Sequence, residues 1–532
     1  ENKFIFTKDF SEDHSIVATQ LLQTNESRNF NYVSETSGNA SASLSDPTAG
    51  AAVIGMGSGN SMTRSMGAIS SLYYAFKNKY IINGIYRWEA NSAISAQHRW
   101  KGFPAFGVAW QLGDEDFIKQ LGFVDMAKLR FSWGQSGNGP TGAYTYMGAF
   151  QPITPGYVDM TAIRPTRIQL DNLKWETITQ TDIGIELSFF KDRLHFMGEI
   201  YNRLTTDLLH KDVKLPSSTG FVEMKYYNSG EMVNKGWELM FRGDLVRAKD
   251  FTLSATMNFS RNQNEVLELP DNLQFESYNF GNGNYAHKII EGNPLGSFYG
   301  YRYLGVYQNE AETFARDLND NIIYDLQGEP VHMMNGNRKV YAGDAKYQDM
   351  DGNGVINQYD IVYLGNAMPL FTTGGGIDVR YKAFSLTTFF HARLGQKVVN
   401  KARIDTENMR GNNNQSTAVL SRWRHEGDQT DIPRALYNEG YNTLGSDRFV
   451  EDASFVRLKQ LSVRYSLPKP FISRFNITRF DVFCTMQDLF TWTNYSGQDP
   501  EVSLSSDVYM LSVDNAKTPR PRRFAFGILA NF

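Results

Sequence analysis

The chain has 532 residues, 41% of them hydrophobic and 14% aromatic, with a formal net charge of −4 and a mean hydropathy of −0.42. It contains no run of 18 apolar residues, which excludes helical membrane spans. A pI of about 6.1 with no basic stripe excludes nucleic acid as a partner.

Neither a β-barrel nor a large soluble β-sandwich is excluded, because in both only alternate strand residues need be apolar. The opening Glu1-Asn2-Lys3-Phe4 has no charged-then-apolar leader and reads as the middle of a longer polypeptide, either a fragment or a chain trimmed at its front. A first strand is expected over Phe4–Thr7, followed by a polar turn, Lys8 to His14. An Asn/Gly/Ser-rich loop is expected over 24–63. Within it, Gly55-Met56-Gly57-Ser58-Gly59 lacks the Lys-Ser/Thr of a phosphate loop and is read as a mobile loop. Asp114 and Glu115 form a carboxylate pair, but pairs arise by chance among 57 acidic residues.

Strict alternation then sets in. Ile183, Ile185, Leu187 and Phe189 alternate with Asp182, Gly184, Glu186 and Ser188. Phe251, Leu253, Ala255, Met257 and Phe259 alternate with Thr252, Ser254, Thr256, Asn258 and Ser260. The last strand sets Phe524, Phe526, Ile528, Ala530 and Phe532 against Ala525, Gly527, Leu529 and Asn531. Strands of about ten residues, apolar on one face and closing on an aromatic, suit a wall one bilayer thick. Asp182, Glu186, Glu238 and Arg242 then fall on the wet face, as lumen lining. The lone Cys484, in the alternating run Phe480, Val482, Cys484, Met486, is read as a packing residue.

Connections alternate as well. Short polar turns at 77–79, 191–193, 247–250 and 381–383 separate long segments near 138–172, 210–228, 267–369, 397–452 and 495–521. That asymmetry is characteristic of outer-membrane barrels, with short periplasmic turns and long outer loops. About 15 strands are counted, an odd number, so other polypeptide is expected to complete the wall.

The segment 267–369 is far longer than an ordinary connection and is expected to carry structure of its own or a partner contact. It contains an EF-hand-like stretch over 349–360. Asp349, Asp351, Asn353, Asn357 and Asp360 stand at loop positions 1, 3, 5, 9 and 12, Val355 offers its carbonyl at position 7, and Gly354 permits the sharp turn. Hard oxygens at this spacing can wrap a calcium ion, in a structural role. Asp360 in place of the usual Glu and the lack of flanking amphipathic helices leave a solvated Asx/Gly turn as the alternative. The eight histidines show no HExxH or HxxxH spacing, so a zinc site has no support.

Several blocks together resemble one family. Asn172-Leu173-Lys174-Trp175-Glu176-Thr177 and Asn228-Ser229-Gly230-Glu231-Met232-Val233-Asn234-Lys235-Gly236 are similar to the "LKWE" and "N-x-G-x-x-x-N-K-G" blocks of SusC/RagA-type TonB-dependent outer-membrane transporters. Gly343-Asp344-Ala345-Lys346-Tyr347, leading into Asp351-Gly352-Asn353-Gly354, resembles the same family's "GD-x-KY-x-D-x-DGNG" block. Val450 to Lys459, Gln498-Asp499-Pro500-Glu501 and the terminal Arg523-Phe524-Ala525-Phe526-Gly527 are further similar blocks.

The resemblance implies an all-β chain over 1–532, forming the C-terminal part of a transmembrane barrel of about 22 strands. The N-terminal plug, the TonB box and the first strands are not visible in this chain. It implies TonB-dependent import of oligosaccharides or peptides across the bacterial outer membrane and no enzymatic activity. The partners it implies are the plug and remaining barrel strands, a SusD-like surface lipoprotein, the TonB complex, and lipid with lipopolysaccharide around the wall. The 267–369 segment is the candidate for lipoprotein contact. Two alternatives stay open from the residues: a passive outer-membrane porin, and a secreted calcium-binding β-sandwich that binds or hydrolyses glycans.

Overall fold

Fifteen strands follow one another as neighbours, each beside the next in sequence, so the alternating pattern becomes one antiparallel meander. The computed structural model describes residues 1–41, 43, 46, 48, 50–153, 156, 158, 160–269, 285, 289–501, 512–516 and 518–532. The strands are β1 (Asn2–Ser11), β2 (His14–Ser37), β3 (Ala52–Phe76), β4 (Tyr80–Asn91), β5 (Trp100–Trp110), β6 (Val124–Asn138), β7 (Glu176–Phe189) and β8 (Leu194–Thr206). They continue as β9 (Glu231–Arg247), β10 (Phe251–Glu268), β11 (Phe371–Tyr381), β12 (Phe384–Leu394), β13 (Phe455–Ser466), β14 (Arg479–Thr493) and β15 (Arg523–Asn531). The expected count of about 15 is borne out. No described helix is long and apolar enough to cross a membrane.

Backbone contacts divide the chain into two units, residues 1–187 with 200–233, and residues 188–199 with 234–532. In the first unit, β4 carries aromatics toward both ends. Tyr80 stacks on Trp110 at 6.1 Å near the short-turn end, and Trp88 stacks on Trp100 at 5.9 Å near the other. Eight residues of tilted strand between Tyr80 and Trp88 span a height of about 20 Å, close to that of a barrel's apolar band. In the second unit the same device recurs. Phe251 meets Tyr381 at 6.5 Å and Phe384 meets Tyr465 at 4.5 Å near the short turns, while Trp237 meets Phe371 at 6.2 Å at the far end. Amphipathic rings placed this way suit the two bilayer interfaces.

The register keeps the faces apart. Tyr381, Phe384, Tyr465 and Val482 are successive cross-strand partners on one face, and Arg380, Ser385, Arg464 and Phe483 on the other. Along the last pair, Phe524, Phe526 and Ile528 stand opposite Met486, Cys484 and Val482. Phe526 is 80% exposed and Ile528 66%, so these apolar faces are not buried against any other described part of the chain. Cys484 stands opposite Phe526 in this row as a half-buried free thiol.

Two readings of the sequence need correction. Most of the region 24–63 is strand: β2 and β3 pair from His14–Phe76 out to Ser37–Ala52, and Gly55, Gly57 and Gly59 stand in register with Glu35, Val33 and Asn31. Asn, Ser and Gly are poor strand formers, but a long partner edge supplies every ladder hydrogen bond, and pairing prevails over propensity. The first turn also shrinks, since β1 runs on to Ser11 and only Glu12 and Asp13 separate it from β2.

The described parts of the long loops fold on themselves. In the second unit, segments from 290–369 and 397–444 build a core of Tyr299, Tyr301, Tyr307, Tyr347, Tyr441, Val340 and Ile356, each at most 3% exposed. Phe298, Val399, Ile404 and Phe449 form a second core beside a three-stranded sheet of Val450–Asp452, Lys397–Asn400 and Val513–Asp514. Within 267–369, residues 270–284 and 286–288 lie outside the described residues, as do 502–511 and 517 within 495–521.

Candidate functional site

The sequence blocks that suggested a family meet in space. Leu173 and Trp175 are buried; the Trp175 indole donates to the Arg99 carbonyl at 3.0 Å and sets its ring edge-on to Phe103. Asn228, from the second block, clasps the first. Its Oδ1 accepts from the Lys174 amide at 2.9 Å, and its Nδ2 donates to the Lys174 and Asp207 carbonyls, both at 3.0 Å. A side-chain amide that mimics a strand partner explains why Asn stands there.

The Gly343-Asp344 block is a buried hub. Asp344 is fully buried and accepts from Arg434 Nε at 2.7 Å, Arg338 Nη2 at 2.9 Å and the Tyr341 amide at 3.0 Å. Gly343 has φ +85, and a Cβ there would sit 2.2 Å from the Trp423 ring, so no other residue fits without displacement. The Tyr347 hydroxyl donates to the Tyr441 carbonyl at 3.0 Å and accepts from the Leu444 amide at 3.1 Å; burial holds this phenol well above its ordinary pKa. The third pair of blocks meets through Arg457, which is 3% exposed. It reaches Asp499 at 2.5 Å, Glu501 at 2.9 Å and Thr491 at 2.8 Å, while Lys459 adds a 2.9 Å contact to Glu501. These contacts fasten the loop following β14 to β13.

Of the lumen residues read from sequence, Asp182 accepts from Ser132 at 3.2 Å and Gln180 at 2.8 Å, and Glu186 pairs with Arg130 at 3.2 Å. Asp182 lines a cavity of about 310 Å³ with Asn83, Gln135 and Gln180. Glu238 lines another, of about 370 Å³, with Glu199, Asn258, Ser260 and His391. Both are open depressions whose linings mix these polar groups with aromatic side chains, Phe106 and Trp133 in the first and Phe259 and Phe389 in the second. Glu199, Asn258 and His391 were not singled out in sequence, although Asn258 lies on the polar face of the 251–260 ladder.

The cation loop has a definite geometry. The carboxylates of Asp349, Asp351 and Asp360 converge, with one oxygen of each within 4.8 Å of the others. Asp349 accepts from the Gly352 amide at 2.9 Å and the Gly354 amide at 2.7 Å, and Asp360 from the Met350 and Asn357 amides, both at 2.7 Å. Each carboxylate oxygen retains a second acceptor direction. Asn353 and Asn357 turn their Oδ1 atoms to the Val355 and Tyr359 amides, and the Val355 carbonyl accepts from Asn357 Nδ2 at 3.1 Å. Burial, with the neighbouring charges of Asp349 and Asp351, raises the Asp360 pKa despite its two amide bonds.

A single meander with apolar outward rows, aromatics near both strand ends and partly polar depressions opposite defines an outer-membrane β-barrel protein. The chain belongs to the TonB-dependent receptor family: the model for "TonB dependent receptor-like, beta-barrel" matches residues 4–353. It is 32% identical over 474 residues to TonB-dependent receptor P3 of Formosa agariphila, covering 86% of this chain and 44% of that protein. It is 26% identical over 483 residues to the TonB-dependent receptor SusC of Bacteroides thetaiotaomicron, covering 87% and 43%. The solved RagAB peptide transporter superposes with a TM-score of 0.81 at 22% identity, covering all of this chain and 55% of that one. The chain thus spans about half the length of the relatives it matches. The SusC/RagA-type resemblance, the all-β fold and the outer-membrane location are borne out, and the secreted sandwich is set aside.

Proposed function

We propose that this chain is the C-terminal wall and outer-loop body of a TonB-dependent importer of the SusC type, which takes up oligosaccharides or peptides beneath a SusD-like surface lipoprotein. The observation that carries this reading is the two-faced wall, apolar outward and lined with hydrogen-bonding groups opposite, joined to a folded outer body instead of flexible loops. A packed body offers the fixed area that a lid protein needs, and depressions such as that around Asn258 and Glu238 suit a hydroxyl- or amide-rich solute. No step of import requires a bond to be made or broken.

The test is uptake of labelled oligosaccharides and peptides by cells carrying the complete polypeptide, with and without a functional TonB complex. Uptake that ceases when TonB is lost supports the proposal; uptake that persists unchanged indicates a passive porin. Deleting 267–369 should abolish co-purification of the lipoprotein, and an intact complex would remove that segment from the contact.

Asp349, Asp351 and Asp360, with Asn353, Asn357 and the Val355 carbonyl in reach, are further proposed to hold a structural calcium ion, whose charge would relieve the crowding of three carboxylates. Extracellular modules of this kind bind at about 10⁻⁴–10⁻³ M. Tyrosine-sensitised terbium luminescence, displaced by calcium and lost in D351N, is the expected result. Luminescence equal in D351N would contradict it.

A further inference from the structure

In the first unit, the register gathers charge at one height of the apolar face. Glu26 and Arg64 are cross-strand partners on β2 and β3, and Arg28 stands one rung further out, opposite Met62. They are the only charged residues on this face of β2 from Ile16 to Ser34 and of β3 from Met56 to Tyr74. The face is the outward one, since its rungs lead from Leu22 and Ala68 to Trp88, and from Ala18 through Leu72 into β4. Four residues of tilted strand, about 10 Å, separate Arg64 from Ala68, the partner of Trp88, on the side away from the short turn at 77–79. Trp88 belongs to the aromatics at that end of the wall, so the charges stand beyond the acyl chains, in the polar layer of the membrane.

Glu26 tethers both arginines without neutralising them. Its Oε1 accepts from Arg28 Nε at 2.5 Å and its Oε2 from Arg64 Nε at 2.7 Å. Two positive charges thus face one negative charge, and both arginine side chains are more than half exposed. Among the described residues no other carboxylate pairs with either. Exposed pairs of this kind add little to stability in water, whereas two guanidiniums held by one carboxylate leave further N–H groups suited to a phosphate. On the next two rungs outward, Phe30 and Tyr32 continue the same face, more than half exposed. Flat rings there can lie against the C–H faces of sugars.

We propose that Arg28 and Arg64 bind a phosphate of a phosphorylated glycolipid in the outer leaflet of the outer membrane, with Phe30 and Tyr32 against its sugars. Continuity with the lipid-facing rows places that headgroup on this face, and the net positive charge selects its phosphate. The site rests on the outer-membrane location of the wall and holds whatever solute the barrel imports.

Native mass spectrometry of the complete polypeptide, delipidated in detergent and titrated with deep-rough lipopolysaccharide, tests this. The expected result is a bound glycolipid whose affinity falls about tenfold in R28A/R64A, the loss of charge-assisted hydrogen bonds. Enzymatically dephosphorylated lipopolysaccharide should bind the wild type as weakly as the intact form binds the double variant. R87A removes a cation from the opposite face, where Arg87 stands across from Ile69 and Phe103, and should change nothing. Heat-modifiable migration shows that each variant still forms its wall. Equal binding by wild type and R28A/R64A, or of the phosphorylated and dephosphorylated forms, would overturn the proposal. So would phosphatidylglycerol bound as tightly through the same arginines, which marks a general anion site.

Discussion

The wall of the second unit and the loop body attached to it solve the folding problem in opposite ways. The loop body buries Tyr299, Tyr347, Phe449 and Ile356 almost completely, as a soluble domain would. The wall leaves Phe524, Phe526 and Ile528 more than half exposed and relies on cross-strand hydrogen bonds. The difference shows what each part uses as solvent. Apolar area is withdrawn from water inside the body by packing, and along the wall only if lipid covers it.

If that contrast holds, mutations should sort by region. F449A should cost the body about 3–5 kcal/mol, the usual loss for a buried Phe. Limited proteolysis in detergent should then cut 397–452 while the wall keeps its resistance to SDS. F526R should do the reverse, costing about 2–4 kcal/mol if it lies near the bilayer midplane. Assembly into vesicles would fall, with protease resistance of the body retained in whatever material assembles. G343A, forced to φ +85 against the Trp423 ring, should cost at least about 1–2 kcal/mol, seen as a lowered melting transition of the body by tryptophan fluorescence.

The smallest effect expected is that of pH. Asp499 is buried, which alone would raise its pKa, but the Glu501 amide and Arg457 outweigh burial and hold it below its ordinary 3.8. Glu451 is half-buried, yet Arg403 and Ser496 hold it below 4.5. Carboxylates depressed in the folded state stabilise it fully above their ordinary values and lose that contribution as pH falls through the lowered ones. The fastening of loops to strands should therefore be unchanged from pH 8 to about 5 and weaken in acid below about pH 4. Protease protection of the 495–501 segment across that range reads it directly.

Most of the wall was legible because its signal is local. Period-two alternation in 251–260 and 523–532 needs no knowledge of the partner strand. The extension of β2 and β3 to Ser37 and Ala52 was not legible, since Asn29, Asn31, Gly55 and Gly59 read as loop and become strand only by pairing. The oxygen ligands at 349–360 could be read from spacing, and three of the carboxylates do converge. The clasp of Asn228 on Lys174 and that of Arg457 on Asp499 could not, because each joins residues more than 40 positions apart. A cationic cavity lined by Arg380, Arg464 and Arg479 was equally hidden: its members come from two connections and the strands beside them, and no one segment is basic.

The central claim is that one face of each strand meets lipid and the other water. It is tested most directly by nitroxide labels placed singly from Phe480 to Gln487 in a C484S background, in reconstituted vesicles. Labels at 482, 484 and 486 should relax with oxygen, and labels at 481, 483 and 485 with a water-soluble nickel chelate, alternating residue by residue. Equal access of the nickel chelate to both sets would contradict it.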